Sequence, residues 1–399
     1  MDTIDEILTR GVENIIPDKN KLRVLLESGK KLNIYLGIDP TATNIHVGHA
    51  VPLRKLQKFA ELGHNVTFLI GDFTALIGDT SDKDSERPHL TREQIESNFQ
   101  TYKRQAEKIL DFDKITVKHN SDWLSKLSYA QIIELMQHFS AGEFFSRELI
   151  KKRLTEGKHV GLHEIMYPVM QGYDSYIMDT DIQLGGTDQT FNMQAGRILQ
   201  KDIRNKESFI IANGFLMGTD GRKMSKTWNN AIWLTDEPND MFGKVMSLKD
   251  ELIIEYFKLA TNVPMEQIMN YELRITNKEN PMILKKELAT QIVAELHSPS
   301  KAEEAKNEFE TRFQKKELHE SDLPTKSLSD FPKSVSVLEA LVIAGIAESN
   351  SAARRLIEQK AVKINTTHIE SPKEIVSFKK NDILQAGKKA VKIVKENSV

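Results

Sequence analysis

No cysteine occurs anywhere in the 399 residues. That excludes disulfides and thiolate metal sites, and it suits a reducing compartment. No run of 18 apolar residues occurs either, so no membrane-spanning helix is expected. The opening Met1-Asp2-Thr3-Ile4-Asp5-Glu6 lacks the basic-then-apolar order of a secretory leader. Net charge is also scarce: 55 Lys and Arg against 57 Asp and Glu leave −2, which argues against wholesale coating of nucleic acid. These absences describe a soluble cytoplasmic protein, long enough for two or three domains at roughly 100–200 residues each.

The charge that is present is unevenly placed. From Lys333 to Val399 there are 12 Lys and Arg against 7 Asp and Glu, so this stretch carries +5 and the rest −7. Such a tail is either a basic module that meets a phosphate backbone or a charged, solvated end.

Hydrophobic patterning alternates between two periods. Residues 33–39 read as a short buried strand, 40–44 as a turn, and a helical pattern starts near Gly48 and stops at Gly63. Pro52 fits that helix only within its first turn, where a missing N–H costs little. Residues 66–70 form the next strand, so a right-handed βαβ unit with parallel strands is predicted. Thr91-Arg92-Glu93-Gln94 has the form of a capping box opening another helix. Further strands are expected at 115–117, 182–184 and 209–212. The repeated order predicts an α/β fold with a doubly wound, Rossmann-like parallel sheet in a domain spanning 1–231, which begins with an N-terminal helical segment. Residues 232–320 read as an α-helical domain punctuated by Pro238, Pro264, Pro281 and Pro299. Polar, proline-interrupted residues 321–334 read as a linker, and 335–399 as a small α+β domain.

Two motifs handle phosphate. His46-Val47-Gly48-His49 falls where a strand gives way to a helix, whose free N–H groups and positive dipole end attract anions. Gly48 admits a nucleotide close to the backbone, His46 can donate to a phosphoryl oxygen, and His49 can lie against the nucleotide. Lys223-Met224-Ser225-Lys226-Thr227 follows the glycine-hinged Gly218-Thr219-Asp220-Gly221. Two lysines three apart on a mobile loop suit a clamp on departing pyrophosphate. Either motif alone is weak; the pair, on one α/β domain, is specific.

Together these elements resemble the signature sequences of class I aminoacyl-tRNA synthetases, the second with Thr227 in place of the usual serine. Four further stretches resemble bacterial tyrosyl-tRNA synthetases: Tyr35-Leu36-Gly37-Ile38-Asp39-Pro40-Thr41, Leu76-Ile77-Gly78-Asp79, Tyr167-Pro168-Val169-Met170-Gln171-Gly172-Tyr173-Asp174 and Gln183-Leu184-Gly185-Gly186-Thr187-Asp188-Gln189. The resemblance covers about residues 30–250 and continues more loosely to the C-terminus. It implies activation of tyrosine with ATP, then transfer to tRNA(Tyr), with catalysis by alignment and phosphate charge stabilisation. A phenol both donates and accepts, so Asp174 would take its proton and Tyr35 would donate to its oxygen. The resemblance further implies that Asp79, Tyr167 and Gln171 hold the ammonium and that Gln189 lies near the carboxylate. Asp188, beside Gly186, would contact the ribose, with Gly37 and Asp39 along the adenylate and Met224 within the nucleotide loop. Thr41, His46, Lys83, Arg87, Lys223, Lys226 and Thr227 would surround the phosphates. Thr190-Phe191-Asn192 departs from the Trp-Gly-Asn of some members, and Pro52 from their threonine.

Mg²⁺ would accompany ATP rather than occupy a protein cage. His159, His163 and Glu164 could suggest zinc, but without a His-Glu-x-x-His pattern or cysteine no zinc is expected. Residues 335–395 resemble the small RNA-binding domain shared with a ribosomal small-subunit protein, which implies that Arg354, Arg355, Lys360 and Lys363 face RNA phosphates. The helical domain would take the anticodon stem-loop. The family's homodimers point to apolar helices near 132–145 as an interface. The rival readings are tryptophan specificity, an RNA-binding factor descended from a synthetase, and a small-molecule nucleotidylyltransferase.

Overall fold

Short apolar runs alternating with amphipathic helices give a six-stranded sheet in the computed structural model of the protein. Its strands are β1 (Val12–Ile16), β2 (Asn33–Ile38), β3 (Asn65–Ile70), β4 (Ile115–His119), β5 (Ile182–Gly186) and β6 (Phe209–Asn213), in the order β1-β6-β5-β2-β3-β4. β2 to β6 run parallel, with Tyr35 opposite both Gln183 and Thr67. The chain order reverses between β5 and β2, and in open parallel sheets a ligand crevice lies beyond the strand ends at such a point. All five residues of β6 are buried, as expected of a parallel strand covered on both faces. The structure describes residues 3–41, 43–79, 90–225, 227–311, 323–359, 361–365, 367–369, 371–387 and 389–394. Two units separate along the chain, Met1–Asn307 and Glu308–Val399.

Three local readings need correction. The N-terminal segment, expected to be helical, does hold the helices Thr3–Thr9 and Lys19–Glu27, but between them lies β1, which pairs antiparallel with β6. Its Glu13 and Asn14 are exposed, so the edge strand is specified by its partner rather than by its own apolar pattern. Pro52 is the sixth residue of the helix Val47–Glu61, beyond the first turn. Proline has no N–H for the Gly48 carbonyl, so the helix lacks that bond at its second turn. Finally, residues 321–334 are more than a linker: β7 (Thr325–Ser327) pairs parallel with β13 (Lys389–Val394), and Phe331 is buried in the terminal core. The segment's polar composition conceals an edge strand that needs only one anchored partner.

The predicted capping box is present, with Thr91 accepting from the Gln94 N–H and Gln94 accepting from the Thr91 N–H. From Pro238 onward the chain is helical, through Pro238–Met246, Ile253–Ala260, Met265–Thr276, Pro281–Leu296 and Pro299–Phe309, the last of which runs to the end of the first unit and two residues past it. Pro238 and Pro281 sit in first turns, where proline starts a helix without breaking it. The terminal unit adds β8 (Val335–Ser336), β9 (Val362–Ile364), β10 (Thr367–His368), β11 (Ile375–Val376) and β12 (Ile383–Ala386). Its main sheet runs β10-β9-β12-β13-β7 and shares a core with the helices Val337–Ile343 and Asn350–Glu358 through Leu341, Ile357, Leu384 and Ile393.

Candidate active site

A cleft of about 560 Å³ opens at the C-terminal ends of β2 and β5, at the switch point. Tyr35, Gly37, Asp39, Thr41, His46, Gly48, His49, Asp79, Tyr167, Gln171, Asp174, Gly186, Asp188, Gln189, Lys223 and Met224 all line it. Residues up to 189 positions apart in sequence are thus gathered by the junctions after β2, β3 and β5, the helix Leu162–Ile177 and one later loop. Thr227 is exposed and does not line the cleft; its N–H donates to Ser225 Oγ at 3.2 Å. Lys83, Arg87 and Lys226 lie outside the described residues, as does Lys360.

At the deep end, Asp174 projects from the helix Leu162–Ile177 and is only 2% exposed. Its two oxygens accept from Trp123 Nε1 at 2.7 Å and Asn120 Nδ2 at 3.1 Å. Burial pushes the Asp174 carboxyl up to about 8, against the pull of those two donors. The Tyr35 hydroxyl donates to Gln183 Oε1 at 3.2 Å, and burial beside Asp174 raises it well above the ordinary phenol range. This buried pair can accept a ligand hydroxyl at the carboxylate and, once Tyr35 turns its one proton away from Gln183, donate to it at the phenol.

Above them, Asp39 bridges the two walls. It accepts from Thr74 Oγ1 at 2.8 Å and from the Tyr167 hydroxyl at 2.9 Å. Gly71 makes this approach possible, because a Cβ there would stand 2.0 Å from Asp39 Oδ1. Asp79 accepts from Gln189 Nε2 at 2.6 Å, so the expected ammonium and carboxylate contacts form one polar ledge.

At the other end, His46 caps the helix Val47–Glu61 and its Nδ1 accepts from the Gly48 N–H at 3.2 Å. His49 Nδ1 accepts from the His46 N–H at 3.3 Å, and the two rings stack at 3.8 Å. Burial, then the nearby His49 and Lys223, push His46 down to about 2. His46 is therefore neutral, and with Nδ1 accepting, its proton resides on Nε2 as a donor. Met224 lies beside Gly48: a Cβ there would be in ordinary contact with its sulfur at 3.5 Å and would crowd His46 Nδ1 at 2.9 Å. The lysine loop and the histidine turn thus face each other, as a polyphosphate clamp requires.

Sequence reasoning missed four residues. Asn120, Trp123 and Gln183 hold Asp174 and Tyr35 from behind, and no periodicity marks hydrogen-bonding supports of this kind. The fourth is Asn230, 2% exposed, whose Nδ2 donates to Asp220 Oδ1 at 2.8 Å and the Lys223 carbonyl at 3.1 Å. Its Oδ1 accepts from the Ser225 N–H at 2.8 Å. Asn230→Ala should lower the rate of any phosphate-dependent step about tenfold by loosening Lys223, while tyrosine affinity holds. Equal rates at saturating ATP in rapid-quench assays would remove this role. Glu164, weighed above with two histidines, is committed to Arg153 at 2.6 Å in a buried pair.

In the terminal unit, Arg354 and Arg355 are exposed on the helix Asn350–Glu358, and Lys363 is half-buried on β9.

A family profile described as tRNA synthetases class I (W and Y) matches residues 27–314, and an S4 domain profile matches residues 338–383. The fold and the cleft define a class I tRNA synthetase of the tryptophan and tyrosine branch. The branch alone does not choose the amino acid. Tyrosine–tRNA ligase 2 of Vibrio cholerae is 42% identical over 383 residues, covering 96% of this chain and 95% of its own. The tyrosine–tRNA ligase of Moorella thermoacetica is 42% identical over 388 residues, covering 96% and 93%. The chain belongs to the tyrosine–tRNA ligases. A C-terminally truncated mitochondrial tyrosyl-tRNA synthetase from Coccidioides posadasii superposes with a TM-score of 0.64 at 23% identity over 77% of this chain and 92% of that one, which speaks for the fold alone. Among the described residues no helix is long and apolar enough to cross a membrane.

Proposed function

We propose that the cleft binds tyrosine with its phenol between Tyr35 and Asp174 and its carboxylate toward the histidine turn, in line with the α-phosphorus of ATP. The carboxylate attacks that phosphorus, forming tyrosyl-adenylate and releasing pyrophosphate; the terminal hydroxyl of tRNA(Tyr) then displaces AMP. No protein nucleophile is needed. Asp79, Tyr167 and Gln171 receive the ammonium, Gln189 lies by the carboxylate, and Asp188 by the ribose. His46 Nε2–H and the Lys223 ammonium meet negative charge that grows on the phosphates. The observation that carries this reading is the buried Tyr35 and Asp174 pair in the same cleft as His46 and Lys223. ATP–pyrophosphate exchange with a panel of amino acids tests it: tyrosine should drive exchange, and exchange driven by tryptophan instead would overturn it.

Among the described residues no group of three His, Asp or Glu could hold a metal. A magnesium ion would accompany ATP, taking its ligands from the triphosphate and water, and when bound it would supply charge neutralisation.

Residues 338–383 would hold tRNA through Arg354, Arg355 and Lys363. Replacing both arginines by alanine should weaken tRNA binding and flatten its salt dependence by about two in log–log slope, with tyrosine-dependent exchange unchanged. Filter binding across a salt series checks this, and an unaltered slope would place the RNA elsewhere.

A homodimer is supported by exposed apolar side chains on Tyr129–Met136 and Ala141–Phe145, namely Tyr129 (80%), Ile133, Met136 and Phe145. Sedimentation equilibrium returning the monomer mass would count against it. A cytoplasmic location fits the absence of cysteine, and recovery in a membrane fraction would oppose it.

A further inference from the structure

Resting on the adenylate-forming reading of the cleft, we propose that Tyr256, in the helical part of the first unit, is a positioning residue that sets the lysine loop for the phosphate step. The loop segments 217–225 and 227–233 are each held by that helical part. At the start of the first, the Tyr256 hydroxyl donates to the Met217 carbonyl at 2.6 Å, and the Lys249 N–H donates to the Thr219 carbonyl at 3.2 Å. Met217 pairs with Lys223 in an antiparallel bridge, so the tethered backbone is the one that registers the lysine. At the end of the second, the Trp233 N–H donates to Asp236 Oδ2 at 2.8 Å. Asp236 is fixed in turn by Lys244 Nζ at 2.6 Å and through its carbonyl by His297 Nε2 at 3.0 Å. Trp233 then lies edge-on to His46 with centroids 5.6 Å apart.

Tyr256 is fully buried on the helix Ile253–Ala260 and does not line the cleft, whereas Met217, Lys223 and Trp233 do. It therefore acts through the loop and not on substrate. Burial first, then Glu255 and Asp220, raise its hydroxyl above the ordinary phenol range, so it stays a donor. Phenylalanine would keep the ring's packing and delete only the tether. The Met217 carbonyl would lose this donor, and the bridged backbone carrying Lys223 would wander. Misplacement by about 1 Å is enough to cost an aligned reaction on the order of a hundredfold.

The test is Tyr256→Phe in the full chain, with adenylate formation followed in a single turnover and normalised to burst amplitude, which counts folded sites. The expected result is about a tenfold slower rate per site, an unchanged tyrosine dissociation constant, and faster hydrogen exchange over residues 218–225. A wild-type rate per site with unchanged exchange overturns the proposal. So does a tyrosine dissociation constant that rises in step with the lost rate, because the effect would then be a general disturbance of the cleft. If the wild-type chain forms no tyrosyl-adenylate, the reading of the cleft fails instead, and the two failures are told apart.

Discussion

In an Asp174→Asn variant the dissociation constant for tyrosine should rise about 10- to 100-fold at pH 8, while that for ATP holds. The carboxylate is the natural acceptor for a phenol proton. Trp123 and Asn120 already donate to its oxygens, and they orient it toward the cleft. Asparagine presents an NH₂ where an acceptor is needed, so either the phenol or the indole loses its partner in a buried site. Discrimination against phenylalanine should shrink by a similar factor, since much of the penalty on phenylalanine is the carboxylate it leaves unpaired.

The same residue predicts a pH dependence. Burial lifts Asp174 to about 8 in the free protein, so below that pH the carboxyl carries a proton that must leave before it can accept the phenol. Tyrosine affinity should therefore increase as pH rises from 6 to 8, by up to about tenfold per unit, and level off above it. In Asp174→Asn the dependence should be flat. The sign for stability is opposite. A folded pKa above the unfolded value near 4 means that the folded chain holds an extra proton between about pH 4 and 8, so this group lowers stability as pH rises through that window. Titration calorimetry and thermal melts at several pH values read both. Affinity that falls toward pH 8 would contradict the assignment.

Lys223→Ala should slow adenylate formation by about 100-fold or more and leave tyrosine binding within about twofold. Lys223 lines the cleft from a loop held by Asn230, and its charge is felt at His46 across the site. In the proposed reaction its partner would be the pyrophosphate as it departs, whose charge grows late in the step, so the loss should fall on rate rather than on ground-state affinity. Single-turnover kinetics with rapid quenching distinguishes the two. A normal rate with weakened tyrosine binding would mean that the loop serves the amino acid instead.

Much of this site was legible before any coordinates because its chemistry is carried by short local signals. His46-Val47-Gly48-His49 announces itself as a strand-to-helix turn, and the structure shows a histidine-capped helix there. Tyr35 and Asp174 are 139 positions apart, and only the resemblance joined them; the parallel register of β2 with β5 and the helix Leu162–Ile177 bring them to one cleft. What escaped was non-local. Asn120, Gln183 and Asn230 look like any polar residue in sequence, and their importance arises from burial that only the assembled sheet creates. β1 and β7 escaped for a related reason, since an edge strand borrows its definition from its neighbour. Pro52 shows the limit of a local rule, for a helix packed on a sheet tolerates a lost bond that an isolated helix would not.

A structure of the chain with tyrosine bound tests the central claim most directly. The phenolic oxygen should be found within about 3 Å of both the Asp174 carboxyl and the Tyr35 hydroxyl, with the amino-acid carboxylate facing the His46 turn. A ring seated elsewhere in the cleft, with both groups beyond its reach, would contradict the account.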